Sequence, residues 1–264
     1  MAKPQEVRLR EFLKNTNLAV SKSPPWVHST ASSRLLSILQ QEKLLAVKCN
    51  VFKKDKLCYL FVGRAAYKGR ESLNPEPWQL PTVFVMRFDT SPPIKRIYPF
   101  DSGAFDRNKM PEYLTLFDME NFELGTDPEV IGRLISFYFD TSRRYVDRRA
   151  LDEDKLKENH VLDMRHAEIM ALGKLYREGS TKNYDDRAAA IEVQVEQDIQ
   201  LKKENLLGVV LPEEYLRTPG VRDTLKHLTS IIEPYGLLPL SLREHYSSIY
   251  QGVNQVYKKA GINI

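Results

Sequence analysis

Two cysteines, Cys49 and Cys58, are the whole thiol inventory of this 264-residue chain. They are too few for a disulfide framework. Their spacing fits neither CxxC nor a zinc-ligand pattern, so each reads as a buried thiol among apolar neighbours. Long hydrophobic runs are missing too. No stretch approaches the roughly eighteen apolar residues of a membrane span, and the charged segment 1–18 lacks the apolar core of a secretory signal. The phosphate-cradling patterns G-x-G-x-x-G and G-x-x-x-x-G-K-[ST] do not occur, which disfavours a doubly wound nucleotide fold. G-x-S-x-G and H-E-x-x-H are absent as well, so a hydrolase nucleophile elbow and a zincin have no support. There is no repeat, coiled coil or low-complexity tract. Charge of one sign is scarce: 39 Lys+Arg stand against 35 Asp+Glu, a formal net charge of +4. Such a mild excess is compatible with a polyanionic partner and does not demand one. A protein with no membrane segment, located in the cytoplasm, is the expectation.

What is present is a globular composition, 42% hydrophobic, 28% charged and 10% aromatic. The length allows a single large domain over 1–264. A short amphipathic helix is expected at 7–13, then the breaker Ser23-Pro24-Pro25 and a strand at 27–30. Ser32 or Ser33 can cap an amphipathic run over 33–45. Residues 56–62 are nearly all apolar, as in a strand covered on both faces. A Pro/Gly/Asn-rich loop at 69–81 separates them from β-rich runs at 82–88 and 94–98, and Pro99-Phe100-Asp101-Ser102-Gly103 signals a turn. The middle changes character: Asp127-Pro128 opens a helix with apolar residues at 131, 134, 135 and 138. More helix is expected at 154–160 and 166–175, ended by Gly179-Ser180-Thr181. Strands return at 188–195, 206–211 and 236–240, with helices at 221–231 and 242–259. Strands at both ends and helices between predict an α+β fold with a split, antiparallel or mixed sheet and a helical insertion at about 127–180.

Chemistry-bearing residues fall in four places. His160, Asp163, His166 and Glu168 form the closest metal-like cluster, but their spacing does not put all four on one helix face. A metal-dependent nucleic-acid-processing enzyme is one reading of it; a solvated helix is the other. Arg143, Arg144, Arg148 and Arg149 alternate with aromatics and could grip phosphates, or pair with Asp147, Asp152 and Asp154 on a solvated face. Asp185-Asp186-Arg187 could face a substrate or simply turn the chain. The fourth place is a set of strand ends: His28-Ser29-Thr30, then Phe61-x-Gly63-Arg64-x-x-Tyr67, then Ile191-Glu192-Val193-Gln194-Val195. Alternation puts Ile191, Val193 and Val195 on one face and Glu192, Gln194 and Glu196 on the other. That second face is either a site or the solvent side of an edge strand.

The order of these motifs, with Leu35, Ile38, Leu39 and Leu44 after the first, resembles the ADP-ribosyltransferase superfamily, and within it the DarT-type toxins. The likeness covers 26–70 and 186–240. Lys43 departs from it, standing where the family often has a glycine after the helix. The resemblance implies a split sheet of the ADP-ribosyltransferase kind and NAD as substrate. It implies a macromolecular acceptor, nucleic acid first and protein second, and a toxin or antiviral defence effector with an antitoxin or defence-system partner. His28, Ser29 and Thr30 would hold the nicotinamide-side ribose and amide, and Tyr67 would pack on the nicotinamide. Arg64 would contact the diphosphate or help activate the acceptor. Glu192 would stabilise the positive charge that develops at the ribose as the glycosidic bond breaks, with Glu196 the alternative acid. A fixed carboxylate in a water-poor pocket suits that charge, and a guanidinium suits phosphate oxygens. A non-catalytic nucleotide-sensing or partner-binding module of the same fold is the second reading.

Overall fold

β-Branched and aromatic runs decide where the strands lie. The computed structural model describes residues 5–67, 74–178, 186–239 and 244–264. Among them run ten strands: β1 (Trp26–Ala31), β2 (Lys43–Leu44), β3 (Val47–Lys48), β4 (Lys56–Val62), β5 (Pro81–Met86), β6 (Ile94–Tyr98), β7 (Glu192–Val195), β8 (Ile199–Gln200), β9 (Leu206–Pro212) and β10 (Ile232–Tyr235). The helices are α1 (Leu9–Asn15), α2 (Leu35–Gln41), α3 (Ser102–Asp106), α4 (Glu112–Thr115), α5 (Glu129–Phe139), α6 (Ser142–Val146), α7 (Glu153–Asn159), α8 (Ala167–Glu178), α9 (Val221–Leu228) and α10 (Tyr246–Lys259). The main sheet has the order β10-β9-β5-β1-β4-β7-β6, with β3 paired to β4, while β2 and β8 form a separate ribbon. Only β9 and β10 are parallel within that order. The architecture is therefore α+β with a mixed, mostly antiparallel sheet.

Several expected elements shift. The run from 33 does not stay helical to 45: α2 stops at Gln41 because Glu42 takes a left-handed conformation (φ 49°), and Leu44 leaves to pair with Ile199 in β8. The strand expected at 188–195 is only β7, preceded by a 3-10 turn. The last strand is not 236–240 but β10, and Leu240 lies outside the described residues. Pro234 sits inside β10, which is possible because β10 is an edge strand. The helix expected at 221–231 ends at Leu228, and the start of the one expected at 242 is outside the described residues, as are Gly179-Ser180-Thr181. Asp127 caps α5 as expected, its Oδ1 accepting from the Glu129 amide at 3.0 Å.

One face of the sheet carries Trp26, Leu60, Val62, Phe84, Val193 and Val195 into the larger core, which the buried faces of α1, α5 and α8 complete. On the other face Val27, Val83, Val85 and Val210 meet Ile249, Val253 and Val256 of α10. Register continues that second face across Phe61 to Glu192 and Tyr98. The pairing in the middle of the sheet is short. β1 matches β5 from Trp26 to Ala31, but it matches β4 only at Trp26↔Val62 and Val27↔Phe61. Beyond Val27 the β1–β4 ladder stops, and the cavity lies beside this gap.

Candidate functional site

A cavity of about 1080 Å³ opens at the gap, and its lining draws on both sheet faces: His28 and Cys58 from one, Phe61 and Glu192 from the other. His28, Ser29, Thr30, Tyr67 and Glu192 all line it. The structure thus brings together five residues that the sequence placed on three separate segments. Arg64, the sixth, is not among the lining residues.

Glu192 opens β7 between β4 and β6, opposite Phe61 and Tyr98. It is on an interior strand and 1% exposed, so the solvent-edge alternative does not hold. Its Oε1 accepts from Ser102 Oγ and from Gln194 Nε2, each at 2.7 Å, and Gln194 Nε2 also donates to Ser102 Oγ at 3.1 Å. Burial pushes the carboxyl up to about 8, and the negative charge of Asp101 adds to it; the bonds from Gln194 and Ser102 work against the shift. At neutral pH Glu192 is therefore mostly protonated. Glu196, by contrast, is half-exposed, bonded to Lys95 at 2.9 Å and outside the cavity lining.

The segment read as a turn supplies Asp101 and Ser102. Asp101 caps α3, its Oδ1 accepting from the Ala104 amide at 3.0 Å, and this sets Ser102 beside the acid. The sequence contained the capping signal, but the contact with Glu192 comes from β6 pairing with β7, a long-range register. Tyr59 also lines the cavity, with its hydroxyl 2.7 Å from Cys49 Sγ. Burial holds that phenol well above the usual tyrosine range.

His28 reaches across the gap, its Nδ1 2.9 Å from the Tyr59 carbonyl. A carbonyl only accepts, so Nδ1 carries the hydrogen and Nε2 is left as an acceptor. Desolvation lowers the affinity of the ring for a second proton, more than the Tyr59 bond restores, and the Arg34 charge lowers it further. Ser29 Oγ donates to the Ala65 carbonyl. Tyr67 is stacked on Tyr246, ring centroids 4.2 Å apart, and the Tyr246 hydroxyl donates to its carbonyl.

Arg64 lies in the interior and off the cavity wall. Gly63 takes a left-handed conformation (φ 65°), and a Cβ there would lie 2.9 Å from Pro24 Cβ. This turn sends Arg64 into the interior, where it is 1% exposed. Its Nη1 donates to the Ala189 carbonyl at 2.9 Å and its Nη2 to the Tyr145 carbonyl, while the guanidinium carbon stands 4.3 Å above the Tyr145 ring. The Tyr145 hydroxyl in turn donates to the Val62 carbonyl and accepts from the Ile191 amide, both at 3.0 Å. Arg64 ties the entry of β7 to the end of β4 and to α6.

The remaining clusters lie away from the cavity lining. Among the described residues no group of three or more His, Cys, Asp or Glu side chains could hold a metal ion. His160 packs against Phe12 and Phe137, His166 Nδ1 lies 3.1 Å from Asp163, and Glu168 pairs with Arg8. Arg143 pairs with Asp147 at 2.8 Å, and Arg144 donates to the carbonyls of Arg149 and Ala150. Asp185 and the side chains of Asp186 and Arg187 lie outside the described residues. No protein-family model matches the chain, and no curated protein or solved structure matches it.

Two stability measurements check this site. Arg64→Ala removes the donor to the Ala189 carbonyl and one of the donors to the Tyr145 carbonyl, which keeps the Arg148 amide at 3.1 Å, so chemical denaturation is expected to show a loss of about 2 kcal/mol; an unchanged midpoint would refute its positioning role. Glu192 has the opposite sign. Its folded value of about 8 exceeds the ordinary 4.5, so the native state holds an extra proton between those limits and loses stability as pH rises through them. Glu192→Gln is therefore expected to gain melting temperature relative to the parent on going from about pH 5 to about pH 9. A pH-independent difference contradicts the assignment.

Proposed function

We propose that this chain is an NAD-dependent ADP-ribosyltransferase acting on a macromolecular acceptor, nucleic acid before protein. The observation that carries the reading is the convergence of His28, Ser29, Thr30, Tyr67 and Glu192 on one cavity, at a gap between two central strands. The volume, about 1080 Å³, is at the upper end of the range for pockets that enclose small ligands and cofactors. A role as a cytoplasmic toxin or antiviral defence effector, with an antitoxin or defence-system partner, follows from the same family likeness. No helix among the described residues is long and apolar enough to cross a membrane.

NAD would supply the ADP-ribosyl group and a glycosidic bond whose cleavage builds positive charge on the ribose. The chain's own residues fit that demand. Neutral His28 offers Nε2 as an acceptor for a ribose hydroxyl. Tyr67, backed by Tyr246, gives a fixed aromatic surface for a nicotinamide ring. The Ser29 hydroxyl is already bonded, so β1 contributes its backbone there. Glu192 would stabilise the developing charge, and it must ionise to do so. A cationic ring brought near it favours the carboxylate, so binding the ligand and activating the acid are coupled. Ser102 and Gln194 fix the oxygen that they share. Exposed Trp78 and Lys48 at the rim of the cavity suit a stacked base and its phosphate, which favours nucleic acid as acceptor.

A non-catalytic nucleotide sensor is the second reading, and the protonated Glu192 favours it. A neutral acid is a hydrogen-bond donor, useful for recognition without turnover. The two readings separate on incubation with labelled NAD and a mixture of DNA, RNA and protein. Transfer predicts label on one acceptor class and nicotinamide release. It predicts a loss of about 100-fold or more in Glu192→Gln and little change in Glu196→Gln. It also predicts kcat/KM rising with pH through a midpoint near 8, the value for Glu192 in the free protein. Binding of NAD with no release of nicotinamide at any pH would sink the transfer reading and leave the sensor.

A further inference from the structure

With Arg64 withdrawn to the interior, the cavity needs another source of positive charge if its ligand is anionic. Among the described residues three cationic side chains line it: Arg34, Lys48 and Arg107. The two arginines are exposed, and among the described residues neither guanidinium makes a hydrogen bond or an ion pair. This sets them apart from the interior arginines nearby. Arg64 is spent on carbonyls, and Arg96 is bonded to Asp55 and Gln194 and lies over Phe52.

The two arginines also come from opposite halves of the sheet. Arg34 ends the turn that follows β1, close enough to His28 for its charge to bear on the ring. Arg107 follows α3, on the side of β6 and Glu192. Its guanidinium folds directly over Gly103: a Cβ on Gly103 would lie 3.1 Å from Nη2 and 3.4 Å from Nη1. Asp101 Oδ1 is 3.0 Å from the same point, so the guanidinium is close to a carboxylate without being bonded to it. The cavity is thus flanked by one uncommitted guanidinium on the His28 side and one on the Glu192 side.

We propose that Arg34 and Arg107 form a two-armed clamp for a diphosphate, one arm on each side of the gap between β1 and β4. Guanidinium forks match phosphate oxygens, and two of them suit a bridge of two phosphates. An extended polynucleotide backbone would instead call for a row of cations along the surface. The clamp specifies the ligand class as a nucleoside diphosphate or dinucleotide. It rests on the transferase reading only for the identity of that ligand as NAD.

The test is calorimetric titration with ADP-ribose and with inorganic pyrophosphate, on the intact chain and on Arg34→Ala, Arg107→Ala, the double variant and Gly103→Ala. Melting curves confirm that each variant is folded. Each single arginine change is expected to weaken both ligands about tenfold, and the double change more. Gly103→Ala, whose Cβ would crowd both Arg107 and Asp101 Oδ1, should weaken them too, and its effect should be smaller when Arg107 is already alanine. Unchanged affinities in the double variant overturn the clamp, as does failure of the intact chain to bind either ligand. Arginine-dependent binding of single-stranded DNA without binding of either probe also overturns it. Binding that depends on both arginines, in a protein that leaves NAD intact, supports the clamp and defeats the transferase reading. Cleavage of NAD with the same KM in the double variant does the reverse.

Discussion

The Arg64 guanidinium, buried at the turn after β4, is the contact on which the site depends. It is held by two carbonyl dipoles and an aromatic face. Those carbonyls belong to Tyr145, on α6, and Ala189, just before β7. One cation therefore fixes the end of β4 to the start of β7, and Tyr145 repeats the tie through Val62 and Ile191. Hydrogen bonds to a charged, desolvated donor are the strong ones. The register that results is the one that puts Glu192 opposite Phe61.

What Glu192 gains from this fixing is an environment of conflicting demands. Burial and Asp101 favour its neutral form; Ser102 and Gln194 favour its ionised one. Its neutral form is favoured well above the usual carboxylate range, and changes in local charge shift its state. A carboxyl so placed makes no sense as a stabilising element, because its ionisation costs folding free energy. It does make sense as a group kept for chemistry or recognition.

The regular parts of this arrangement were legible in the sequence, and the long-range parts were not. The strands at 56–62 and 94–98 follow from their apolar runs, with the same bounds as β4 and β6. The α+β order, the cap at Asp127 and the face shared by Glu192 and Gln194 were also readable from local pattern. Whether that face met solvent or a neighbour depended on β7 lying between β4 and β6, which no local pattern encodes. The burial of Arg64 was hidden for a similar reason. An arginine at a strand end reads as open to ligand, but the left-handed turn at Gly63 sends it inward. Asp101 and Ser102 carried a turn signal that gave no hint of the acid beside them. Arg34 and Arg107 carried no signal at all, since an exposed arginine is ordinary until a cavity is seen beneath it.

The short ladder between β1 and β4 has a consequence of another kind. Where two strands part inside a sheet, each acquires an edge, and free edges ordinarily recruit further strands, from the same protein or from others. Here the two edges face each other across an internal space, and the His28 ring already occupies the Tyr59 carbonyl. The outer borders of the sheet are β10, carrying Pro234, and β6, carrying Lys95. Proline and charge are the usual guards against edge-to-edge aggregation. The fold thus turns two of its strand edges toward an internal space and keeps proline and charge on its outer borders.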